Sequence, residues 1–243
     1  MARVFVTGST DGLGRGAAEA LLTDGHRVVV HARDAARRGA VDDLVARGAD
    51  VVVGDLGDLD ETRSLADAVN RLGRMDAVIH NAGVLSGRPL LPVNVVAPYL
   101  LTALIDRPAR LVYLSSGMHR GGRTELDGLD WSGARETGSY SDTKLLVTTL
   151  AAAVARRWPD VLSNAVDPGW VPTRMGGPGA PDDLELGHVT QTWLAVSDDP
   201  EARATGGYWH HQRRSDPHPA VDDPAFQDRL LDALARHTRT RLT

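Results

Sequence analysis

Short β-branched apolar runs alternate along the chain with longer stretches of helical period. The runs Arg3–Val6, Arg27–His31, Asp50–Val53, Met75–His80, Arg110–Ser115 and Leu162–Val166 predict strands. Between them, Leu13–Thr23, Ala35–Arg47, Asp60–Leu72, Leu90–Ile105 and Tyr140–Trp158 space their apolar residues as helices do. The early strands are nearly continuous apolar runs, as expected where both faces of a sheet are covered. Strands alternating with helices of this length predict βαβ units and a parallel sheet. Right-handed crossovers then give a doubly wound α/β fold whose ligand crevice lies at the carboxyl ends of the strands. No linker or internal repeat divides the chain, so residues 1–243 read as one domain. Three stretches are less regular: 117–139, ahead of the helix at Tyr140; 175–190; and 212–243, read as a tail with a helix. The first two follow strands that end at the crevice, so they are expected to cover a substrate there.

Composition narrows the class. The chain has 42% hydrophobic and 24% charged residues and a net charge of −5, a globular balance that does not suggest nucleic acid as a partner. The absence of cysteine excludes disulfides, thiol chemistry and cysteine-ligated zinc. The amino terminus runs directly into a strand, and no apolar run reaches the length of a membrane span, so a cytoplasmic protein is expected. Lys144 is the only lysine in an arginine-rich chain.

Candidate chemistry gathers at the predicted strand ends. TGSTDGLG (7–14) places Gly8, Gly12 and Gly14 between the first strand and the first helix. That is how a chain aims helix N–H groups at phosphate. HNAG (80–83) ends the fourth strand, where Asn81 and Gly83 shape a turn. LVYLSSG ends the fifth with Ser115 and Ser116, hydroxyls able to bond a substrate oxygen. YSDTK puts Tyr140 and Lys144 on one helix face. A phenol titrates near pH 10. A neighbouring ammonium is expected to lower that value and make the pair a general acid/base.

These motifs, together with DPGWVPT (167–173), resemble the classical short-chain dehydrogenase/reductases. TGSTDGLG corresponds to that family's TGxxxGxG, HNAG to NNAG and YSDTK to YxxxK, in the family's order and over nearly the whole chain. SSGMHRGG, the segment before Tyr140 and GYWHHQRR are similar to the retinol-dehydrogenase-like branch. The resemblance implies a Rossmann-type sheet and a catalytic set of Asn94, Ser116, Tyr140 and Lys144. Ser116 is taken over Ser115 as the second serine of the pair. Tyr140 would exchange a proton with a carbonyl or alcohol oxygen held by Ser116. Lys144 would also bond the nicotinamide ribose, and Asn94 would hold a water near the lysine. The cofactor is expected against Gly8, Thr10, Asp11, Gly12, Leu13 and Gly14; Arg33; Asp55 and Leu56; Asn81, Ala82 and Gly83; Tyr140 and Lys144; and Pro168, Gly169, Val171 and Thr173. Gly14→Val is expected to abolish its binding and spare the fold. His80 departs from the family's asparagine and is expected to change only a turn contact.

The second strand ends VVVHARD, with His31 and Arg33 in the region where sites that prefer NAD carry an acid. Arg33 can pair with a 2′-phosphate, so NADP is expected, with NAD the alternative; Asp34 lies close enough to favour NAD after a small shift of register. Trp131, Trp170, Met175 and Trp193 are candidates to line an apolar pocket, which suits an apolar or aromatic ketone, aldehyde or secondary alcohol. His210, His211, Asp216 and His218 match no standard ligand spacing, so no metal is expected. Two other readings of the fold remain: a sugar-nucleotide epimerase or dehydratase, and a non-catalytic nucleotide-binding regulator. The epimerases' TGxxGxxG spacing is absent, and the tyrosine and lysine that regulators tend to lose are present. The resemblance also implies a homodimer, paired through the LLVTTLAAAVA face of the Tyr140 helix, although that face equally suits the sheet.

Overall fold

In the computed structural model, which describes residues 1–243, the six apolar runs form the parallel strands β1 (Arg3–Val6), β2 (Arg27–Ala32), β3 (Asp50–Val53), β4 (Ala77–His80), β5 (Arg110–Leu114) and β6 (Leu162–Asp167). The expected helices appear as α1 (Gly12–Thr23), α2 (Ala35–Arg38), α3 (Asp42–Ala46), α4 (Leu59–Arg71), α5 (Ala97–Leu104) and α6 (Tyr140–Arg157). Three more elements follow β6: α7 (Leu186–Val196), the hairpin β7 (Tyr208–His210) and β8 (Arg213–Ser215), and α8 (Pro224–Thr238). Strand order is β3-β2-β1-β4-β5-β6-β7-β8, with only β8 antiparallel. The order reverses between β1 and β4, and a crevice opens at such a reversal.

Two of the expected helices are interrupted. Ala35–Arg47 tightens into a 3₁₀ turn at Gly39–Val41. Leu90–Ile105 widens into a π turn over Pro92–Val96 before α5. Pro98 lacks an N–H, so the ordinary helical ladder cannot continue through it, and the wide turn accommodates that loss. The hairpin was hidden in a stretch that reads as polar tail. Its turn sets His211 and Gln212 at φ of 46° and 58°, without the glycine that normally announces such a turn.

The core lies on both faces of the sheet. On one side Phe5, Tyr99, Tyr113, Leu150 and Phe226 pack between the strands and α4, α5, α6 and α8. On the other, Val4, Leu21, Leu44, Leu194 and Trp209 pack with α1, α3 and α7. Trp193 belongs to this second layer, edge-on to Trp209 at 5.3 Å, and not to a substrate pocket. The apolar side of α6, expected as a dimer face, packs against β5, β6 and α8 of its own chain. Arg156 and Arg157 of α6 pair with Asp228 of α8.

His80 makes no turn contact. It is buried at the end of β4, stacked on Tyr113 at 4.7 Å, with Nε2 3.2 Å from Thr102 Oγ1. Burial pulls its pKa down to about 3. The unfolded chain therefore binds a proton near pH 6.5 that the folded chain refuses. This contribution to stability is present above pH 6.5 and is lost as pH falls toward 3. His80→Phe keeps the stack and removes the titration. Urea titrations between pH 7 and 4 are expected to show a flatter loss of stability in the variant than in the parent chain.

Candidate functional site

The site begins where β1 hands over to α1. Gly8 and Gly12 have φ of +67° and +54°, backbone that other residues rarely adopt, and Asp11 caps α1 by accepting the Gly12 N–H at 2.7 Å. His31 fixes this loop. Its Nδ1 accepts the Gly8 N–H at 3.0 Å and its Nε2 lies 2.7 Å from Gly54 O, so the proton sits on Nε2. Burial lowers the His31 pKa, which keeps the ring neutral as this arrangement requires. Thr7 holds the other flank: Oγ1 accepts the backbone N–H groups of Asn81 and Ala82, at 2.9 and 3.0 Å. Asn81 Nδ2 donates to Thr7 O at 2.9 Å.

A cleft of about 1020 Å³ runs along these strand ends. Of the residues expected to hold a cofactor, Gly8, Thr10, Asp11, Gly12, Leu13, Arg33, Asp55, Leu56, Asn81, Ala82, Gly83 and Thr173 line it. Gly14, Tyr140, Lys144, Pro168, Gly169 and Val171 do not. Gly14 serves packing instead: a Cβ there would run into Asn81 Nδ2 and lie 2.5 Å from Gly8 O. Gly169, at φ +84°, turns the chain after β6 and has Asp182 where a Cβ would stand. Val171 is buried against Gly187 of α7.

At the far end of the cleft, Arg33 and Arg37 both line the wall, and Arg33 is 60% exposed. Asp34 lies outside this lining and caps α2, accepting the Arg37 N–H at 2.9 Å. That backbone bond, ahead of the Arg33 guanidinium, holds the Asp34 carboxyl below the usual carboxylate range. Arg37, which lacks any recognisable motif in the sequence, is an addition to the expected set.

The catalytic candidates meet at the opposite end. Gly83 is the link: a Cβ there would lie 3.4 Å from Asn94 Oδ1 and 3.6 Å from Lys144 Nζ. Asn94 sits in the π turn, buried, with Oδ1 accepting the Val84 N–H and Nδ2 donating to Val84 O, both at 2.9 Å. Nδ2 also donates to Thr143 Oγ1 at 3.0 Å. Ser115 is buried and committed to Thr148 Oγ1 at 2.6 Å. Ser116 caps the following 3₁₀ turn, accepting the Met118 N–H at 3.2 Å, and its hydroxyl favours ionisation of the Tyr140 phenol. The second serine, free of such a buried bond, is the one whose hydroxyl influences the phenol.

Tyr140 is the first residue of α6, placed there by a capping box between Ser139 and Asp142. Lys144 follows one turn later, buried, with Nζ 5.4 Å from the Tyr140 ring centroid and 2.6 Å from Leu114 O. The expected lowering of the phenol is reversed here. Burial, then the Asp167 carboxylate, push Tyr140 up to about 12, against a smaller opposing effect of the Ser116 hydroxyl. Burial pulls Lys144 down to about 8. The ammonium is spent on Leu114 O and not on the phenol, which explains the difference.

The segment 122–139 forms part of the cleft wall through Ser132 and Gly133, held by Gly87 N–H to Glu136 and Arg88 to Gly133 O. Trp131 packs against the larger core, whereas Trp170 and Met175 are exposed. The loop after β6 reaches only to residue 185, because Leu186 already begins α7. Its closure is set by Asp182, whose carboxylate accepts the Trp170 N–H at 2.5 Å. No group of three or more His, Asp or Glu side chains is gathered as metal ligands, and no helix is long and apolar enough to cross a membrane.

A family model described as short chain dehydrogenase matches residues 2–100. The chain is 37% identical to the short-chain dehydrogenase chyC of Penicillium rubens, over 100% of this chain and 99% of that protein. Human retinol dehydrogenase 13 is 26% identical, over 96% and 83%. The fold superposes on the Pseudomonas aeruginosa RhlG/NADP active-site complex with a TM-score of 0.70 and 22% identity, covering 86% of this chain and 94% of that one. With the fold, the glycine turn and the Ser116–Tyr140–Lys144 cluster, this similarity shows that the chain belongs to the short-chain dehydrogenase/reductase family of oxidoreductases.

Proposed function

We propose that the protein is an NADP-dependent oxidoreductase that interconverts a carbonyl and an alcohol on a small apolar or aromatic substrate. The observation that carries this reading is the single cleft joining Arg33 and Arg37 to Gly83, beside which Lys144 and Asn94 stand. The left-handed backbone of Gly8 and Gly12 leaves room for a pyrophosphate against the start of α1. Arg33 and Arg37 suit a 2′-phosphate, and Asp34, engaged at its helix cap, does not oppose one. NADP in the RhlG complex supports the same choice. When bound, the reduced nicotinamide supplies a hydride.

The chain's own residues manage the oxygen and its proton. Ser116 orients the carbonyl oxygen, and Tyr140 donates the proton as the oxygen gains charge. A phenol pushed up to about 12 remains protonated through neutral pH, as a proton donor must. Lys144, Asn94 and the Leu114 carbonyl hold the floor of the site. Trp170 and Met175, exposed on the loop after β6, are the apolar surfaces available to a substrate.

The experiment is NADPH oxidation by purified protein over a panel of apolar ketones and aldehydes, with NADH in parallel. The reading expects faster turnover with NADPH, and equal or better turnover with NADH would remove the role given to the arginines. Arg33→Ala with Arg37→Ala is expected to weaken NADPH binding by about 10- to 100-fold, the size of a lost charge-assisted bond or two, and to leave NADH binding nearly unchanged. Calorimetric titration of both cofactors checks it.

A further inference from the structure

One side chain ties the loop of the catalytic serine to two distant parts of the chain, and the reaction described above makes no use of it. His119 lies in the 3₁₀ turn that follows Ser116 and is wholly buried. Its Nε2 faces the His218 N–H at 3.0 Å. A backbone N–H can only donate, so Nε2 is the acceptor and the neutral ring carries its proton on Nδ1. Nδ1 then donates to Ser116 O at 2.8 Å. The His119 backbone N–H donates to the same carbonyl at 3.0 Å, so Ser116 O is held by two donors from one residue. Burial lowers the His119 pKa and keeps the ring neutral, as this arrangement requires.

The surroundings leave the ring little freedom. It packs on Tyr208 of β7, with ring centroids 4.5 Å apart. The Tyr208 hydroxyl is fixed in turn by Asp167 Oδ2 at 3.1 Å. Arg120 lies over the same tyrosine and donates to Asp216 O at 2.7 Å, a second tie between the turn and the segment 216–218. The far end of the turn is seated against the helix that begins with Tyr140. A Cβ on Gly122 would lie 2.6 Å from both Ser141 O and Leu145 Cβ, and the Gly122 N–H donates to His119 O at 3.0 Å. The turn therefore meets α6 at the residue next to Tyr140, and His119 fixes Ser116 within that turn.

Resting on the catalytic reading of Ser116, we propose that His119 is a positioning residue whose Nδ1–H, bonded to the Ser116 carbonyl, holds the serine hydroxyl in place for the substrate oxygen. Ser116 Oγ accepts the Met118 N–H, which leaves its O–H free to donate to that oxygen. A hydroxyl rotates easily, so its aim depends on how firmly the backbone of its own residue is pinned. His119 supplies that pin from the buried side. The other use of the ring is to anchor the chain at His218 through Nε2. Two amides separate these bonds. Asparagine places a donor near the position of Nδ1 and nothing at Nε2. Glutamine places an acceptor near the position of Nε2 and nothing at Nδ1.

The two variants are compared on the ketone of the panel that the parent chain reduces fastest. His119→Gln is expected to lower kcat by about 10- to 100-fold, the effect of displacing a reacting group by up to an ångström, and His119→Asn to keep it within about threefold. KM for NADPH is expected to stay within about twofold in both, because His119 does not line the cofactor cleft. If the ring served only to anchor His218, asparagine would be the worse substitute; that order, or equal kcat in the two variants, would overturn the proposal. Ser116→Ala is measured beside them. A fully active Ser116→Ala removes the catalytic reading and the proposal with it, whereas an inactive one beside an active His119→Gln removes the proposal alone. Should the variants fail to fold, the parent chain still decides. Nitrogen-15 NMR of its histidines, assigned through the His119 backbone, is expected to show the proton on Nδ1 and a bare Nε2. A proton on Nε2 would overturn the proposal without any turnover.

Discussion

Replacement of Tyr140 by phenylalanine is expected to lower kcat for carbonyl reduction by about 10²- to 10⁴-fold, the usual worth of a positioned general acid. Phenylalanine preserves the ring that lies 5.4 Å from Lys144 Nζ and keeps the start of α6, which is capped by Ser139 and Asp142. What disappears is the hydroxyl that carries the proton. NADPH affinity should change little, because Tyr140 is not among the residues lining the long cleft. The pattern of a large loss in kcat with a small change in cofactor affinity identifies an interaction made only as the oxygen gains charge. The pH dependence has a definite sign. With the phenol near 12, reduction is limited by loss of its proton only at high pH, whereas alcohol oxidation, which needs the phenolate as acceptor, rises with pH.

Gly14→Val is expected to destabilise the whole protein rather than the cofactor complex alone. The first branched carbon would run into Asn81 Nδ2 and lie 2.5 Å from the Gly8 carbonyl, and neither group is free to move. Asn81 is tied to Thr7 O at 2.9 Å, and Gly8 is tied to His31 at 3.0 Å. Overpacking of this kind costs about 1–3 kcal/mol or more. In a domain of this size that is a fall in Tm of roughly 2–12 °C. Thermal unfolding without cofactor measures it directly. An unchanged Tm with lost NADPH binding would return Gly14 to the phosphate site that the sequence suggested for it.

Gly14 illustrates what the sequence could and could not supply. Spacing in TGSTDGLG locates the strand-to-helix turn, and it identifies Gly8 and Gly12 as cleft residues. It cannot tell a glycine that admits a ligand from one that admits a neighbouring side chain, because that depends on Asn81 from another strand. The same limit applies to Ser115 and Ser116, which the chain presents as equals. Only the packing of Thr148 against Ser115 separates them. His80 and His31 are also set by distant partners: Tyr113 and Thr102 for one, Gly8 and Gly54 for the other. The six parallel strands were legible because their apolar runs are nearly unbroken. The β7–β8 hairpin was not, because three-residue strands reading YWH and RRS carry little pattern.

The most direct test follows the transferred hydrogen. Purified protein is incubated with NADPH deuterated at the reactive nicotinamide carbon and with each ketone of the panel, and the alcohol product is examined by mass spectrometry. One deuterium at the carbinol carbon is expected with the parent chain, and a loss of product in proportion to the fall in kcat with Tyr140→Phe. Tight NADPH binding with no deuterated alcohol from any carbonyl, or equal product from Tyr140→Phe, would contradict this expectation.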